Sequence, residues 1–310
     1  MKRDLTGRRL VVTGAARGIG ANVARLAVAR GARVALIGLE ANRLKALADE
    51  LGPAASWREA DVRDGGSLQL AIDESADVMG GIDLLVANAG VVAYGTVRQA
   101  EDTAFERVID VNLTGTFRTL KYATPHLVRS GGHVTVVASA LSFLALPSMS
   151  SYGASKAGVE MLALAYRQEV AHLGVTVGLV HPSWVETDLV KGAERDIPSF
   201  VRMRSELPYP GNVTTSVEKA AGAIVDGLAT RRARVYVPRA VGAVAWAKAA
   251  AGSAVGWLWV RRFAGRWVPT LEREIQALGR NEQLVPGEAE ARSRARSEPA
   301  LDRRQGRPRT

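Results

Sequence analysis

Apolar and polar positions over the first 240 residues alternate between two patterns. Short unbroken apolar runs predict buried strands: "RLVVTG" at 9–14, "RVALIG" at 33–38, "IDLLVANAG" at 82–90, "HVTVVAS" at 133–139 and "VTVGLVHP" at 175–182. Two further runs, "ASWREADV" at 55–62 and "RVYVP" at 234–238, read as strands as well. Between them, apolar residues recur every three or four positions. That spacing predicts helices over 19–31, 40–52, 66–79, 101–130, 151–173 and 216–229, several closed by glycine. Gly115 and Pro125 interrupt the 101–130 pattern, and 183–212 reads as irregular. Apolar strands alternating with amphipathic helices imply an α/β fold, a doubly wound parallel sheet with helices on both faces. Such sheets take ligands at the C-terminal ends of their strands, where the strand order reverses.

The pattern changes after residue 238. From Ala240 to Val260, 21 residues carry one charge, Lys248, and Arg261, Arg262 and Arg266 follow. The stretch 240–267 also holds four of the six tryptophans. A length of about 20 apolar residues can span a bilayer, but this run is mostly Ala and Gly, and its central lysine opposes insertion. A helix packed over the ligand mouth or against another subunit is the first reading. A helix lying in the interface of an anionic membrane is the second. From Pro286 onward the chain is rich in Arg, Glu, Ser and Pro, which predicts disorder. The expected organisation is one domain over 7–238, an apolar and basic helical extension over 239–285, and a disordered basic tail over 286–310.

Composition narrows the chemistry. With 310 residues, 47% of them hydrophobic, one large domain can bury a substantial core. Cysteine is absent, which excludes disulfides, thiolate metal sites and thiol nucleophiles. His126, His133, His172 and His181 form no metal-ligand spacing, so no metal is expected. The net charge of +10 is uneven: residues 1–230 carry 24 basic and 24 acidic side chains, residues 231–310 carry 17 and 7. The basicity belongs to the C-terminal part and predicts no nucleic-acid partner. "MKRDLTGRRLVVTG" passes straight from charged residues into a short strand. A cytoplasmic location is therefore expected, at the membrane surface if 240–267 lies on lipid.

Two stretches carry the candidate chemistry. "VVTGAARGIGANVA" puts Gly14, Gly18 and Gly20 between the first strand and first helix. There, glycine allows close backbone approach to a pyrophosphate, and the helix offers free N–H groups and a positive dipole end. "SYGASKAGVEM" holds Tyr152 and Lys156, which share a helix face at i and i+4. Alone, that pair is a common accident.

The Gly-x-x-x-Gly-x-Gly spacing in "TGAARGIG" resembles the short-chain dehydrogenase/reductase family. The family's other motifs follow in order: Asp61–Val62, "ANAG" at 87–90 with Ala87 for the usual first asparagine, Asn112, Ser139, then Tyr152 and Lys156. The resemblance covers roughly 7–238 and implies a Rossmann-type domain that binds NAD or NADP and interconverts a secondary alcohol and a ketone. It makes Asn112, Ser139, Tyr152 and Lys156 catalytic. Tyr152 is then the acid/base, its pKa lowered by the ammonium and the nicotinamide. Ser139 orients the substrate oxygen, Lys156 holds the ribose, and Asn112 anchors a relay water. Cofactor contacts are implied at Thr13, Gly14, Arg17, Gly18, Ile19, Gly20, Asp61, Val62, Asn88, Ala89, Gly90, Tyr152, Lys156, Pro182 and Thr187. Homodimers or homotetramers are common in the family.

Two departures from the family bear on specificity. After the sixth strand, "HPSWVETDL" has Ser183 and Trp184 after Pro182 where the family has Pro-Gly. Gly38 stands where an acidic residue would bind the ribose 2′-hydroxyl, and Glu40 follows two residues on. NADP is slightly favoured. Leu141, Phe143, Met149 and Trp184 are candidate pocket walls, with Val92 and Tyr94 opposite. They suit an apolar lipid-, steroid- or polyketide-like substrate. The rival classes are a catalytically silent redox sensor or scaffold that binds the cofactor, and a nucleic-acid binder using the basic tail.

Overall fold

The computed structural model describes residues 4–251 and 253–279. Among them, the strands are β1 (Arg9–Thr13), β2 (Arg33–Gly38), β3 (Ala55–Glu59), β4 (Leu84–Ala87), β5 (His133–Val137), β6 (Thr176–Pro182), β7 (Trp184–Val185), β8 (Thr214–Thr215) and β9 (Arg234–Val237). Seven form one parallel sheet in the order β3-β2-β1-β4-β5-β6-β9, while β7 and β8 pair separately. The order reverses between β1 and β4, so a ligand crevice is expected above their C-terminal ends.

The helices are α1 (Gly18–Val28), α2 (Ala41–Leu51), α3 (Gly65–Met79), α4 (Asp102–Ile109), α5 (Gly115–Ser130), α6 (Ser150–Glu169), α7 (Asp188–Asp196), α8 (Pro198–Ser205), α9 (Val217–Ala229), α10 (Val241–Ala251) and α11 (Ala254–Leu278). The sheet is buried on both faces, which is why its strands read as unbroken apolar runs. Val11, Ile37, Leu85 and Val134 pack with Leu68, Ile72, Leu120 and Val159 of α3, α5 and α6. Their neighbours Leu10, Val12, Leu36 and Val86 pack with Val23, Leu44 and Ile224 of α1, α2 and α9 on the other face.

Two expected elements differ. The 101–130 pattern is two helices joined by an i→i+5 turn over Asp110–Thr114, where the Gly115 N–H bonds the Asp110 carbonyl. Such wide turns recur at functional sites, and this one carries Asn112. The stretch read as irregular, 183–212, contains β7, α7 and α8. Buried Val190, Ala193, Ile197, Phe200, Met203 and Leu207 form a third apolar cluster there with Val92, Tyr94, Leu141, Met149 and Trp184.

The extension after 238 joins that cluster. Trp267, Leu271 and Ile275, four residues apart on α11, are buried in it. Glu274 accepts from the Ser199 N–H at 2.9 Å and hydroxyl at 2.6 Å, and Glu272 accepts from the Thr96 hydroxyl at 2.7 Å. Helix α11 therefore straps α8 to the loop after β4. Among the described residues, no helix is long and apolar enough to cross a membrane. The tail expected to be disordered, 286–310, lies outside the described residues.

Candidate active site

The chain leaves β1 through Gly14 and enters α1 at Gly18. Gly14 has φ +64°, and a Cβ there would lie 2.8 Å from the Ala89 Cα, so only glycine lets this turn lie against the 88–90 loop. Helix α1 begins without a side-chain cap and without an acidic residue in its first turn. Its free N–H groups and positive end thus remain available to an anion. Gly14, Arg17, Gly18 and Ile19 line one end of a cleft that continues past Gly38, Asp61 and Val62. Asn88, Ala89 and Gly90 form its floor, and Pro182 and Thr187 face them. These groups fit the pyrophosphate and adenosine of a dinucleotide.

Two implied contacts act one layer behind the cleft. Thr13 does not line it. Its hydroxyl accepts from the Asn88 N–H at 3.2 Å, and the Asn88 amide donates to the Thr13 and Gly14 carbonyls at 3.1 Å each. Gly20 does not line it either: a Cβ there would lie 2.3 Å from the Gly14 carbonyl oxygen. Its role is to let α1 seat against the turn. Arg17 is held from two sides, its Nε 3.2 Å from the Glu40 carboxylate and its Nη1 3.5 Å from Asp188. Buried Glu40 therefore turns toward the glycine loop.

Helix α6 brings Tyr152 and Lys156 into the cleft one turn apart, the Lys156 Nζ 5.8 Å from the Tyr152 ring centroid. The ammonium donates to the Val137 carbonyl at 2.9 Å, at the end of β5. Two residues on, the Ser139 hydroxyl accepts from the Leu141 N–H at 3.1 Å and lines the same cleft as Tyr152. Burial raises the Tyr152 phenol above its usual value, with Ser139 acting the other way; the fall expected from the ammonium and the nicotinamide belongs to the cofactor-bound site. Burial lowers Lys156 to about 8. In both groups the charged form is disfavoured because the side chain loses water in the buried site.

The Asn112 side chain closes the constellation from below. Its Nδ2 donates to the Val91 carbonyl and the Ser155 hydroxyl at 2.9 Å each, and its Oδ1 accepts from the Val91 N–H at 2.8 Å. Ser155 in turn donates to the Tyr152 carbonyl at 2.7 Å. Asn112 thus pins the 88–91 loop to α6, with both side-chain N–H groups engaged. Sequence reasoning missed Ser155, and also Ser142, which accepts from the Ser139 N–H at 3.3 Å and donates to the Lys156 carbonyl at 3.0 Å. It also missed Glu160, one turn beyond Lys156. The Glu160 carboxylate lies 3.1 Å from the His181 Nε2 and accepts from Arg234 at 3.0 Å; His181 foremost holds it down to about 2. The i+4 spacing from Lys156 was the available signal.

Leu141, Met149, Trp184 and Tyr94 line the substrate end, joined by Leu189 and Val190 of α7. Phe143 does not. The turn at Ala140–Ser142 carries it past the cleft, and its ring packs on His181 at 5.5 Å. Trp184 is fixed by its indole N–H, which donates to the Gly211 carbonyl at 2.6 Å, and by the Arg204 guanidinium 5.5 Å from its ring. Among the described residues, no cluster of His, Asp or Glu could hold a metal ion.

A glycine cradle at the strand-order reversal, opening onto a Ser–Tyr–Lys set, defines a dinucleotide-dependent oxidoreductase of alcohols and carbonyl compounds. A model of the family described as short chain dehydrogenase matches residues 8–198. The chain is similar to a cis-4-hydroxycyclohexanecarboxylate dehydrogenase of Sinomonas cyclohexanicum, 35% identical over 204 residues that cover 64% of this chain and 82% of the relative. It is also similar to a 3-alpha-(or 20-beta)-hydroxysteroid dehydrogenase of Mycobacterium tuberculosis, 30% identical over 236 residues, 73% of this chain and 91% of the relative. A solved dehydrogenase/reductase from Sinorhizobium meliloti 1021 superposes with a TM-score of 0.64 at 29% identity, covering 73% of this chain and 90% of its own. The chain belongs to the short-chain dehydrogenase/reductase family and is an NAD(P)-dependent oxidoreductase.

Proposed function

We propose that the protein interconverts a secondary alcohol and a ketone on an apolar substrate, with Tyr152 as the acid/base. The observation that carries this reading is the convergence of Ser139, Tyr152 and Lys156 on one cleft walled by Leu141, Met149 and Trp184. When bound, the nicotinamide supplies or takes up hydride at the substrate carbon. The chain's residues manage the oxygen. In reduction, the Tyr152 phenol donates its proton to the carbonyl oxygen while Ser139 holds that oxygen in line. The Lys156 ammonium stabilises the phenolate left behind. Asn112 positions the loop and helix that carry these groups. In oxidation the same phenolate removes the hydroxyl proton.

The apolar wall makes the substrate class testable. Across a homologous series of ketones, each added methylene that is buried is worth roughly 0.8 kcal/mol, or about fourfold in kcat/KM. A flat series would remove the apolar reading. The similar proteins named for hydroxysteroid and hydroxycyclohexanecarboxylate substrates agree with a cyclic or fused-ring compound.

We further propose a modest preference for NADP. Gly38 lines the cleft without a carboxylate, and Arg17 lies beside it, with Arg43 3.8 Å from the same Asp188 carboxylate that Arg17 approaches. Glu40 draws on the charge of Arg17, which keeps the preference small. The expected kcat/KM ratio is about fivefold for NADPH over NADH, as one exposed ion pair contributes on the order of 1 kcal/mol. Gly38→Asp should reverse it. A Gly38→Asp protein that keeps the wild-type ratio would place the 2′-position elsewhere. Two or four copies are expected in the assembly, and exposed Phe105, Phe117 and Met161 on α4, α5 and α6 are residues a subunit contact could cover. A monomeric mass by sedimentation would remove that expectation.

A further inference from the structure

Helix α11 has two halves of opposite character. Its C-terminal half is sunk in the third apolar cluster through Trp267, Leu271 and Ile275. Its N-terminal half presents Trp257, Leu258 and Trp259 to solvent, 62%, 59% and 49% exposed, and α10 adds Trp246 at 89%. Monomeric proteins rarely expose large apolar side chains in such a group unless something covers them. Directly after them, Arg261 and Arg262 are exposed and have no ion-pair partner among the described residues. Arg266, one turn on, reaches Glu206 at 3.0 Å while remaining largely exposed. Between Asp226 and Glu272 the chain carries eight basic residues and no acidic one.

We propose that this face docks on an anionic lipid surface, with the indoles and Leu258 in the interface and the arginines against the headgroups. Indoles suit that depth because they pair an apolar ring with an N–H donor, and basic residues beside them complement anionic headgroups. The charge decides between occupants. A second copy meeting this face through a twofold axis would set arginines against arginines, whereas a lipid surface supplies the opposite charge. No helix among the described residues can span the bilayer, so the contact is peripheral. The same helix straps α8, whose Phe200 meets Trp184 edge-on at 5.4 Å in the wall of the cleft. Docking would therefore set the α8 side of the cleft near the membrane. That last point rests on the apolar-substrate reading; the docking itself does not.

The test is co-sedimentation of the full-length protein with vesicles of phosphatidylcholine alone or mixed with phosphatidylglycerol. Wild type should bind the mixed vesicles at least tenfold more tightly, with a blue shift in tryptophan emission. Trp257→Ser/Trp259→Ser and Arg261→Gln/Arg262→Gln should each lose most of that binding. Both pairs lie outside the cleft, so cofactor affinity should match wild type; the melting temperature should match in the arginine variant and fall slightly in the tryptophan variant, where Trp259 leaves its stack on Phe263 at 5.2 Å. Absence of vesicle binding overturns the proposal. So does binding that both variants retain, which would assign it to the basic tail. Concentration-dependent self-association lost in the tryptophan variant, without vesicle binding, overturns it in favour of a subunit contact. Vesicle binding with no activity on apolar ketones would leave the docking standing and remove only the substrate reading.

Discussion

Tyr152→Phe should lower kcat for ketone reduction by about a thousandfold, since a positioned acid contributes roughly 10² to 10⁴. The substitution removes one oxygen and leaves the ring in place, so dinucleotide affinity should change by less than about threefold in that scheme. The phenol is raised above its ordinary value by burial, so it stays protonated at neutral pH. Wild-type reduction should therefore proceed at neutral pH and fall in alkali. Alcohol oxidation, which needs the phenolate, should rise with pH. Steady-state rates in both directions across pH, beside a fluorescence titration of the cofactor, read all of this. A Tyr152→Phe enzyme that keeps most of its kcat would move the acid to another group.

Lys156→Met should produce the second large effect, and a split one. Turnover should fall by about a hundredfold or more as the phenolate loses its cation. Stability without cofactor should not fall. The Lys156 pKa drops from 10.5 to about 8 because burial disfavours the ammonium. In the unfolded chain the lysine is protonated below 10.5, so the penalty on the fold is complete below about pH 8. It is relieved as the pH rises from 8 toward 10.5. A shift of that size is worth on the order of 3 kcal/mol. Stranding the Val137 carbonyl costs about 1 kcal/mol of that gain in the variant. The variant should melt a few degrees above wild type at pH 7, with the gap closing in alkali. A variant that is both inactive and less stable at pH 7 would mean that the ammonium supports the fold.

Much of this was legible in the chain itself. The strands could be read because both faces of the sheet are buried, which leaves unbroken apolar runs. The glycine loop and the Tyr152–Lys156 pair could be read because their spacing is local and the chemistry tolerates few substitutes. Residues that act at second hand were harder. Thr13 and Gly20 match the motif but do not line the cleft, and only the packing against Asn88 and Gly14 shows how they hold the turn. Phe143 looked like a pocket wall because it follows Ser139 closely, and a single turn redirects it. Helices α7 and α8 were hidden by Gly192 and Pro198, although Val190, Ala193, Ile197, Phe200 and Met203 kept helical spacing. The position of Glu40 on Arg17 is a tertiary fact.

The most direct measurement is cofactor turnover by the wild-type protein. NADPH and NADH consumption would be followed with a panel of apolar cyclic ketones, and NADP⁺ and NAD⁺ reduction with the matching alcohols. Saturable turnover on members of the panel, faster with larger apolar rings, is the result expected. Tight dinucleotide binding with no turnover of any compound in either direction would contradict the account, and would make the Ser139–Tyr152–Lys156 site a sensor of the cofactor rather than a catalyst.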